Sequence, residues 1–223
     1  MMLYAAVTIA ITASKDKHSI IGGKLKRIFD IICASLIIVI LSPLFIIVAM
    51  LVKLGDPGPV LFCHTRVGYG GRRFQCLKFR SMVADADRLL RNLLESDPEA
   101  RREWERTQKL AKDPRITAIG KFLRQSSLDE LPQLINVVRG EMSLVGPRPV
   151  APSESKRYGD KLPLYLKARP GLTGIWQVSG RSNCVYNQRI EMDADYVTNW
   201  RFSKDVAILL RTPAAVFARR GSY

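Results

Sequence analysis

An uncharged apolar stretch near the start of the chain limits the folds open to it more than any other feature. Residues 31–52 read IICASLIIVILSPLFIIVAMLV and contain no Asp, Glu, Lys or Arg. This length matches the ~20 residues with which a helix crosses the hydrocarbon core of a bilayer. Ser42-Pro43 lies at the centre, where proline removes a backbone hydrogen bond and disfavours helical geometry at the preceding residue. The sequence therefore predicts an apolar helix with a central break.

Basic residues on both sides of this stretch indicate how it would meet a membrane. Lys24, Lys26 and Arg27 precede it, and Lys53 follows it. Because Lys and Arg concentrate on the cytoplasmic side of membrane segments, both ends favour the same side. A re-entrant helix satisfies both ends, with halves of about 11 residues that are roughly 16 Å long. Asp30 would then lie near the lipid headgroups, paired with Arg27. A kinked helix that crosses the bilayer and a buried helix of a soluble protein are the alternatives.

The charge of the chain points to an anionic partner. It contains 35 Lys and Arg against 20 Asp and Glu, a formal net charge of +15. Nucleic acid, an anionic membrane and phosphorylated substrates all fit this charge. Aromatic residues are only 8% of the chain and basic residues flank the membrane-like segments, which disfavours nucleic acid. Four cysteines without Cys-x-x-Cys spacing and two histidines predict reduced thiols, with neither a zinc site nor a disulfide framework.

A small β-hairpin is predicted after the apolar stretch. Residues 60–62 and 74–77 favour strands, and the glycines between residues 68 and 71 favour a tight connection. Lys78 and Arg80 follow at the end of the second strand. A solvated basic hairpin and a phosphate-binding site are both consistent with these cations.

Helices are predicted for most of the remaining chain. Residues 83–112 favour a helix broken near Asp97-Pro98, and residues 115–138 favour two short helices with apolar side chains at helical spacing. The last 19 residues are apolar with interspersed arginines, a pattern typical of a helix that lies on a membrane surface.

Two adjacent carboxylates, Asp129 and Glu130, stand at the head of the run SSLDELPQLINVVRGEMSLVGPRP. Successive side chains on an α-helix point about 100° apart, so the two acids would need separate roles in any catalysis. Ser127 and Glu130 have the spacing of a capping box, and the negative charge of Asp129 would interact favourably with the helix dipole. On this run alone, helix capping and catalysis both stay open.

Cations near this run suit phosphate chemistry. Arg148 stands between Pro147 and Pro149, which restrict the backbone around a guanidinium that can bind phosphate through two hydrogen bonds. Arg124 precedes Asp129 by just over one helical turn. Phosphoryl transfer needs a nucleophile, a metal held by carboxylates and cations around the phosphates. A carboxylate nucleophile that forms an acyl phosphate divides such a transfer into two steps.

With these motifs the chain resembles the monotopic bacterial phosphoglycosyl transferases, which initiate the assembly of polysaccharides and glycoconjugates. The resemblance covers roughly residues 24–223 and is similar in extent to the short exopolysaccharide-initiating enzymes of the ExoY type. Its carriers are the Ser42-Pro43 break, KFRSM at 78–82, the run at 127–149, ARPGLTGIWQVSGR at 168–181, and the closing DVAILLRT and GSY.

The resemblance implies a fold that is mainly α with a small β-hairpin. It implies a monotopic membrane protein with a re-entrant helix-break-helix, broken at Ser42 and Pro43, and with amphipathic helices on the membrane surface. Residues 24–54 would form the re-entrant helix and residues 55–223 the cytoplasmic catalytic domain. Residues 1–23 match no family element and are taken as a lead-in.

The resemblance also implies a reaction. Such enzymes transfer a sugar 1-phosphate from a UDP-sugar to undecaprenyl phosphate, a polyprenyl phosphate, and release UMP at the cytoplasmic face of the bacterial inner membrane. Asp129 matches the nucleophile that forms a covalent phosphosugar intermediate, and Glu130 matches the glutamate that binds Mg²⁺. Phosphate or nucleotide contacts are predicted for a set of charged residues: Lys78, Arg80, Arg124, Arg148 and Asp205.

Several alternatives stay open at this point. By overall similarity galactose is the leading sugar, glucose the next, and an N-acetylated or diamino sugar comes after these. The pocket contacts that select the sugar are not readable from the sequence. A non-catalytic membrane scaffold of a polysaccharide assembly complex is the rival function. Asp205 is equally suited to capping a helix that begins at Val206. The membrane-facing surfaces leave room for a homodimer, and no nucleic acid partner is expected.

Overall fold

The computed structural model describes residues 20–107, 110–179 and 186–217. The predicted lead-in therefore lies almost wholly outside the described residues. The described part is mainly helical with one small antiparallel hairpin, as predicted.

The apolar stretch forms helix α1 (Gly23–Gly55), and the predicted break is confirmed. Its two parts, Gly23–Ile40 and Ser42–Gly55, meet at 63°. Pro43 has no amide hydrogen to donate, and the hydroxyl of Ser42 donates to the carbonyl of Val39 at 2.8 Å. Among the described helices no single one is long and apolar enough to cross a membrane, whereas this bent pair qualifies by length and composition.

Helix α1 packs on the protein with one side and leaves the other side apolar and exposed. Ala34, Val48 and Val52 are buried in the protein core. The exposed side carries large aliphatic residues, namely Ile28, Ile32, Leu36, Val39, Ile40, Ile46, Ile47, Met50, Leu51 and Leu54. A contiguous apolar surface of this size marks an interaction surface rather than ordinary solvent-exposed surface. The alternative of a helix enclosed in a soluble core is therefore wrong.

Asp30 is buried in the protein interior with Lys26 as its nearest cation, so the expected pairing with Arg27 was wrong. Its side chain accepts hydrogen bonds from the hydroxyl of Ser143 at 2.7 Å and from a backbone amide. Arg27, the expected partner, instead donates to the carbonyls of Val137 and Val138 at 2.6 and 2.8 Å. Arg27 thereby binds carbonyls in the last turn of the helix that ends at Arg139.

The predicted hairpin is confirmed. Strand β1 (Leu61–Val67) pairs antiparallel with strand β2 (Arg73–Phe79), with Leu61 opposite Phe79 and Val67 opposite Arg73. The connection uses Gly70 at φ 63°, a left-handed conformation that glycine adopts without strain.

The helices after the hairpin follow the predicted breaks. Helices α2 (Ala86–Ser96) and α3 (Pro98–Thr107) are separated at Asp97, whose carboxylate accepts two amides of α3. Helices α4 (Ala118–Ser126) and α5 (Gln133–Arg139) flank a short 3₁₀ turn (Leu128–Glu130).

A second, parallel strand pair was not predicted. Strand β3 (Ser143–Val145) pairs with β4 (Gly171–Thr173), and each is only three residues long. Backbones approach closely here, since a Cβ on Gly171 would lie 2.1 Å from the amide nitrogen of Gly146. The remaining helices are α6 (Pro152–Ser155), α7 (Leu162–Tyr165), α8 (Ile175–Val178), α9 (Tyr186–Thr198) and α10 (Phe202–Phe217).

Helix α10 carries the amphipathic pattern predicted for the end of the chain. Phe202, Val206 and Leu210 repeat every four residues and are exposed. The ring of Phe202 meets that of Phe29 of α1 edge-on, with centroids 5.1 Å apart. The exposed apolar row of α10 therefore adjoins α1.

Candidate active site

The 3₁₀ turn between α4 and α5 presents the two adjacent acids. Ser127 ends α4 and begins the turn in a left-handed conformation, with φ 58°. An N-cap residue normally has extended geometry, and the Ser127 side chain makes no capping hydrogen bond to the turn. The carboxylate of Glu130 binds Lys78 instead. The capping-box interpretation was therefore wrong.

Lys78 brings the acids together. Its ammonium lies 2.6 Å from Oε1 of Glu130 and 3.6 Å from Oδ2 of Asp129. The lysine comes from strand β2 and the acids from the turn, so the contact spans about 50 positions of sequence. The side chain of Asp129 is 11% exposed and that of Glu130 is 41% exposed. One acid is thus sheltered and the other open to a ligand.

This setting shifts the proton affinities of the pair. Burial raises the pKa of Asp129 to about 6, and the negative charge of Glu130 adds to the rise while Lys78 and Arg124 oppose it. Burial alone would lower the pKa of Lys78, but the charges of Glu130 and Asp129 outweigh it and raise that pKa. Lys78 therefore stays positive and favours an ionised Asp129 at neutral pH.

Arg124 is a second cation beside Asp129. Its Nε donates to the hydroxyl of Ser81 at 2.9 Å, and its charge stabilises the Asp129 carboxylate. The close approach depends on Gly120, where a Cβ would meet the carbonyl oxygen of Ser81 at 1.8 Å. The structure thus brings Lys78, Arg124 and both acids together. Phosphate binding by the two cations stays a prediction.

Asn136 positions the hairpin against α5, a role that sequence reasoning missed. Its side chain is fully buried and accepts from the amide of Leu77 at 2.9 Å. It donates to the backbone carbonyl of Gln75 at 2.7 Å and to the carboxylate of Glu141 at 2.6 Å. The amide side chain thereby occupies the edge of β2 next to Lys78. The sequence feature that could have indicated this role is a polar asparagine within the apolar run LINVV.

We expect Asn136→Ala to destabilise the fold by about 3 kcal/mol, because an amide and a carbonyl of β2 would stay buried without partners. Thermal or chemical denaturation measures the loss. Asn199→Ala is the matched control, since Asn199 is exposed and binds only Asp195 among its described partners. Equal stability of the two variants would contradict the positioning role.

The other predicted residues lie elsewhere. Arg80 binds the carbonyls of Asp56 and Pro57 and the Asp56 carboxylate, so its described contacts hold a turn rather than the acid pair. The guanidinium carbon of Arg148 lies 5.6 Å from the ring centroid of Trp176. A cation over an indole face is weakly attracted to it. Phosphate binding by Arg80 and Arg148 stays a prediction.

Asp205 is a buried structural carboxylate. It accepts from Lys26 at 2.6 Å, from the hydroxyl of Tyr196 at 2.8 Å and from the indole of Trp200 at 3.1 Å. Helix α10 begins at Phe202, so the expectation that Asp205 caps a helix from Val206 was wrong. Its contacts tie the start of α1 to α9 and α10, and a contact with nucleotide stays a prediction without support from this geometry.

The donor chemistry of the acid pair fits Mg²⁺. Across residues 20–107, 110–179 and 186–217, no three His, Cys, Asp or Glu side chains gather into a metal-binding set. Mg²⁺ commonly takes only one or two carboxylates together with substrate phosphates and waters. The exposed carboxylate of Glu130, beside Asp129, supplies such hard oxygen ligands.

Comparison with known proteins identifies the family of this chain. Residues 21–219 match the family model described as bacterial sugar transferase. The exopolysaccharide production protein ExoY of Sinorhizobium fredii is 49% identical over 203 residues, which cover 91% of this chain and 90% of that protein. The undecaprenyl-phosphate galactose phosphotransferase of Salmonella typhimurium is 52% identical over 89% of this chain and 42% of its own. The UDP-galactose-lipid carrier transferase of Erwinia amylovora is 51% identical over 99% and 46%. The chain thus spans less than half of the last two proteins.

Proposed function

Because the chain belongs to the bacterial sugar transferase family, we propose that it transfers galactose 1-phosphate from UDP-galactose to undecaprenyl phosphate. UMP is the second product, and the transfer begins the assembly of an exopolysaccharide. The names of the Salmonella and Erwinia relatives support both substrates. The observation that carries the proposal is the sheltered Asp129 beside the open Glu130, with one ammonium against both.

Asp129 is the proposed nucleophile. Its ionised carboxylate attacks the phosphorus that bears the sugar, the bond from that phosphorus to the UMP oxygen breaks, and UMP leaves with the electron pair. An oxygen of the lipid phosphate then attacks the same phosphorus and releases the Asp129 carboxylate. A basic carboxylate is the better nucleophile, which suits the raised pKa of Asp129.

The neighbouring cations serve the same two steps. Lys78 and Arg124 lie beside Asp129 and balance the negative charge that gathers when a phosphate approaches the carboxylate. Arg148, restrained by its flanking prolines, binds a phosphate of the donor.

Glu130 and the substrate phosphates would hold Mg²⁺. The ion would supply positive charge to the phosphate oxygens. We expect a chelator to abolish UMP release and added Mg²⁺ to restore it. Glu130→Gln should raise the Mg²⁺ concentration needed for half-maximal activity, and an unchanged requirement would contradict this assignment.

The membrane is the proposed location of the acceptor. The apolar side of α1 and the apolar row of α10 would enter the cytoplasmic leaflet of the bacterial inner membrane, with α1 as a re-entrant helix. Cysteines introduced at Lys24 and Pro59 of an otherwise cysteine-free variant should then react with an impermeant maleimide from the same side. Labelling from opposite sides would establish a crossing helix.

UMP release tests the reaction. Membranes with undecaprenyl phosphate and Mg²⁺ are given UDP-galactose, UDP-glucose or N-acetylated UDP-sugars. We expect the highest rate with UDP-galactose. A higher rate with UDP-glucose would change the sugar and keep the reaction, whereas no release with any donor would favour a non-catalytic scaffold.

The pH dependence of kcat/KM should report the ionisation of the Asp129 carboxylate. Because the carboxylate is active when ionised, kcat/KM should rise with pH and level off above about 6, the raised pKa of Asp129. Lys78 lowers that pKa by its charge. Lys78→Met should therefore move the rising limb to higher pH as well as reduce the rate. A limb that stays in place in this variant would show that another group controls it.

A further inference from the structure

Two arginines from distant parts of the chain meet at the end of helix α5. Arg27 of α1 donates to the carbonyls of Val137 and Val138, and Nε of Arg169 donates to the carbonyl of Gly140 at 2.9 Å. A Cβ on Gly140 would lie 3.3 Å from Nη2 of Arg27, so both guanidiniums adjoin this one glycine. Each guanidinium has five N–H donors, and these bonds use only some of them. Two cations with further donors therefore lie side by side.

The two arginines lack an acidic partner in the part of the chain that the structure describes, where neither has a carboxylate within ion-pair distance. The charge of Asp30 acts on Arg169 from further away, but that carboxylate is buried and bound to Lys26 and Ser143. Burial and the positive charge of Arg27 both lower the pKa of Arg169, so the two guanidiniums repel each other. An anion bound between them would remove this repulsion.

Exposed apolar side chains surround the arginine pair. Leu25 and Ile28 are exposed on α1, and Val138 is exposed at the end of α5. Lys24 and Arg139 add two exposed cations to the same surface. Cations beside an apolar surface are typical of the membrane interface, where long basic side chains reach the headgroups while their neighbours contact the acyl chains. The surface therefore has the two properties that an anionic lipid requires.

The arginine pair is separate from the acid pair. Glu130 lies before α5 and Val138 lies in its last turn. These eight positions correspond to about 12 Å at 1.5 Å per residue. A phosphate bound between the arginines would therefore lie too far from Asp129 to be the phosphate that reacts there. It would belong to a molecule other than the one undergoing transfer.

We propose that Arg27 and Arg169 bind the phosphate of an anionic phospholipid headgroup beside the first half of α1. The proposal rests on the membrane location proposed above for α1. Guanidinium groups bind phosphate oxygens through charge-assisted hydrogen bonds, and the exposed Leu25, Ile28 and Val138 contact the acyl chains. The bound lipid thereby links α1 to the end of α5, the helix that follows the acid pair.

Thermal melting of the purified full chain in detergent micelles tests this site. Dioleoyl phosphatidylglycerol and dioleoyl phosphatidylcholine share their acyl chains and differ in headgroup charge. A ligand of the folded state raises the melting temperature, so titration with phosphatidylglycerol should raise it above the value in phosphatidylcholine. Arg27→Gln and Arg169→Gln should each weaken the apparent affinity for phosphatidylglycerol about fivefold.

Two features of the design separate lipid binding from stability. Each variant is compared with itself in phosphatidylcholine, so the loss of a hydrogen bond at the end of α5 cancels. Arg169→Gln removes a single such bond, so it decides the result if Arg27→Gln does not fold. Lys53→Gln is the matched control, because it removes the same charge from an exposed position at the other end of α1.

Each outcome has a distinct meaning. Weaker phosphatidylglycerol binding in the arginine variants, with the wild-type affinity in Lys53→Gln, supports the lipid site. An equal loss in all three variants would indicate diffuse surface charge and overturn it. Equal stabilisation by inorganic phosphate would assign a free anion, and stabilisation by undecaprenyl phosphate alone would assign the acceptor, so either would overturn the phospholipid. A chain that binds phosphatidylglycerol through both arginines and transfers no sugar would keep the lipid site and refute the proposed function.

Discussion

Replacement of Asp129 by asparagine is expected to abolish sugar-phosphate transfer, with a loss of at least about 1000-fold in kcat. A carboxamide has no ionised oxygen to attack phosphorus, so neither step of the proposed reaction can proceed. The fold should remain intact, because Lys78 keeps its 2.6 Å contact with Glu130. Burial also raises the pKa of Asp129, so a neutral side chain here removes an unfavourable buried charge at neutral pH.

Two measurements make this result decisive. UMP release gives the rate, and mass spectrometry of the wild-type chain after brief exposure to donor without lipid acceptor should detect the added sugar phosphate on the peptide with Asp129. Asp195→Asn is the matched control, because Asp195 is exposed and pairs with Lys204 on the protein surface. A wild-type rate in Asp129→Asn would show that Asp129 is not the nucleophile. It would favour the non-catalytic scaffold function.

Replacement of Lys26 by methionine is expected to cause the largest loss of stability, about 3–5 kcal/mol. Lys26 is buried, with its ammonium 2.6 Å from Asp205 and 3.8 Å from Asp30. Without the lysine, two buried carboxylates would face each other with no cation between them. For a chain of this length the melting temperature should fall by about 10 °C.

Thermal melting in one detergent measures this effect. Lys24→Met is the control, because Lys24 is exposed two positions earlier on α1. Addition of Asp205→Asn to Lys26→Met should restore part of the stability, since it removes one of the uncompensated charges. Equal melting of Lys26→Met and Lys24→Met would show that the ion pairs of Lys26 with Asp30 and Asp205 contribute little.

Local patterns predicted the parts of the fold that local chemistry decides. Pro43 lacks an amide hydrogen wherever it stands, so the bend of α1 followed from the sequence. The glycines after β1 and the Asp97-Pro98 pair likewise act over a few residues, and the hairpin and the break between α2 and α3 were both found where predicted.

Long-range contacts accounted for what sequence reasoning missed or misplaced. Asn136 binds β2 across about 60 positions, and Asp30 binds Ser143 across 113. Neither partner can be identified from spacing along one element. The capping box of Ser127 and Glu130 failed for the same reason, because a distant lysine bound the glutamate instead.

The sequence by itself determined the chemistry available to this protein: an apolar helix that must bend, an acid pair, and an excess of cations near both. These features depend on the identity of the residues and on their nearest neighbours. Only the tertiary structure decided which acid is sheltered and which cations reach it. Those properties depend on burial and on distances between elements far apart in the chain, because charge interactions and proton affinities change when water is excluded.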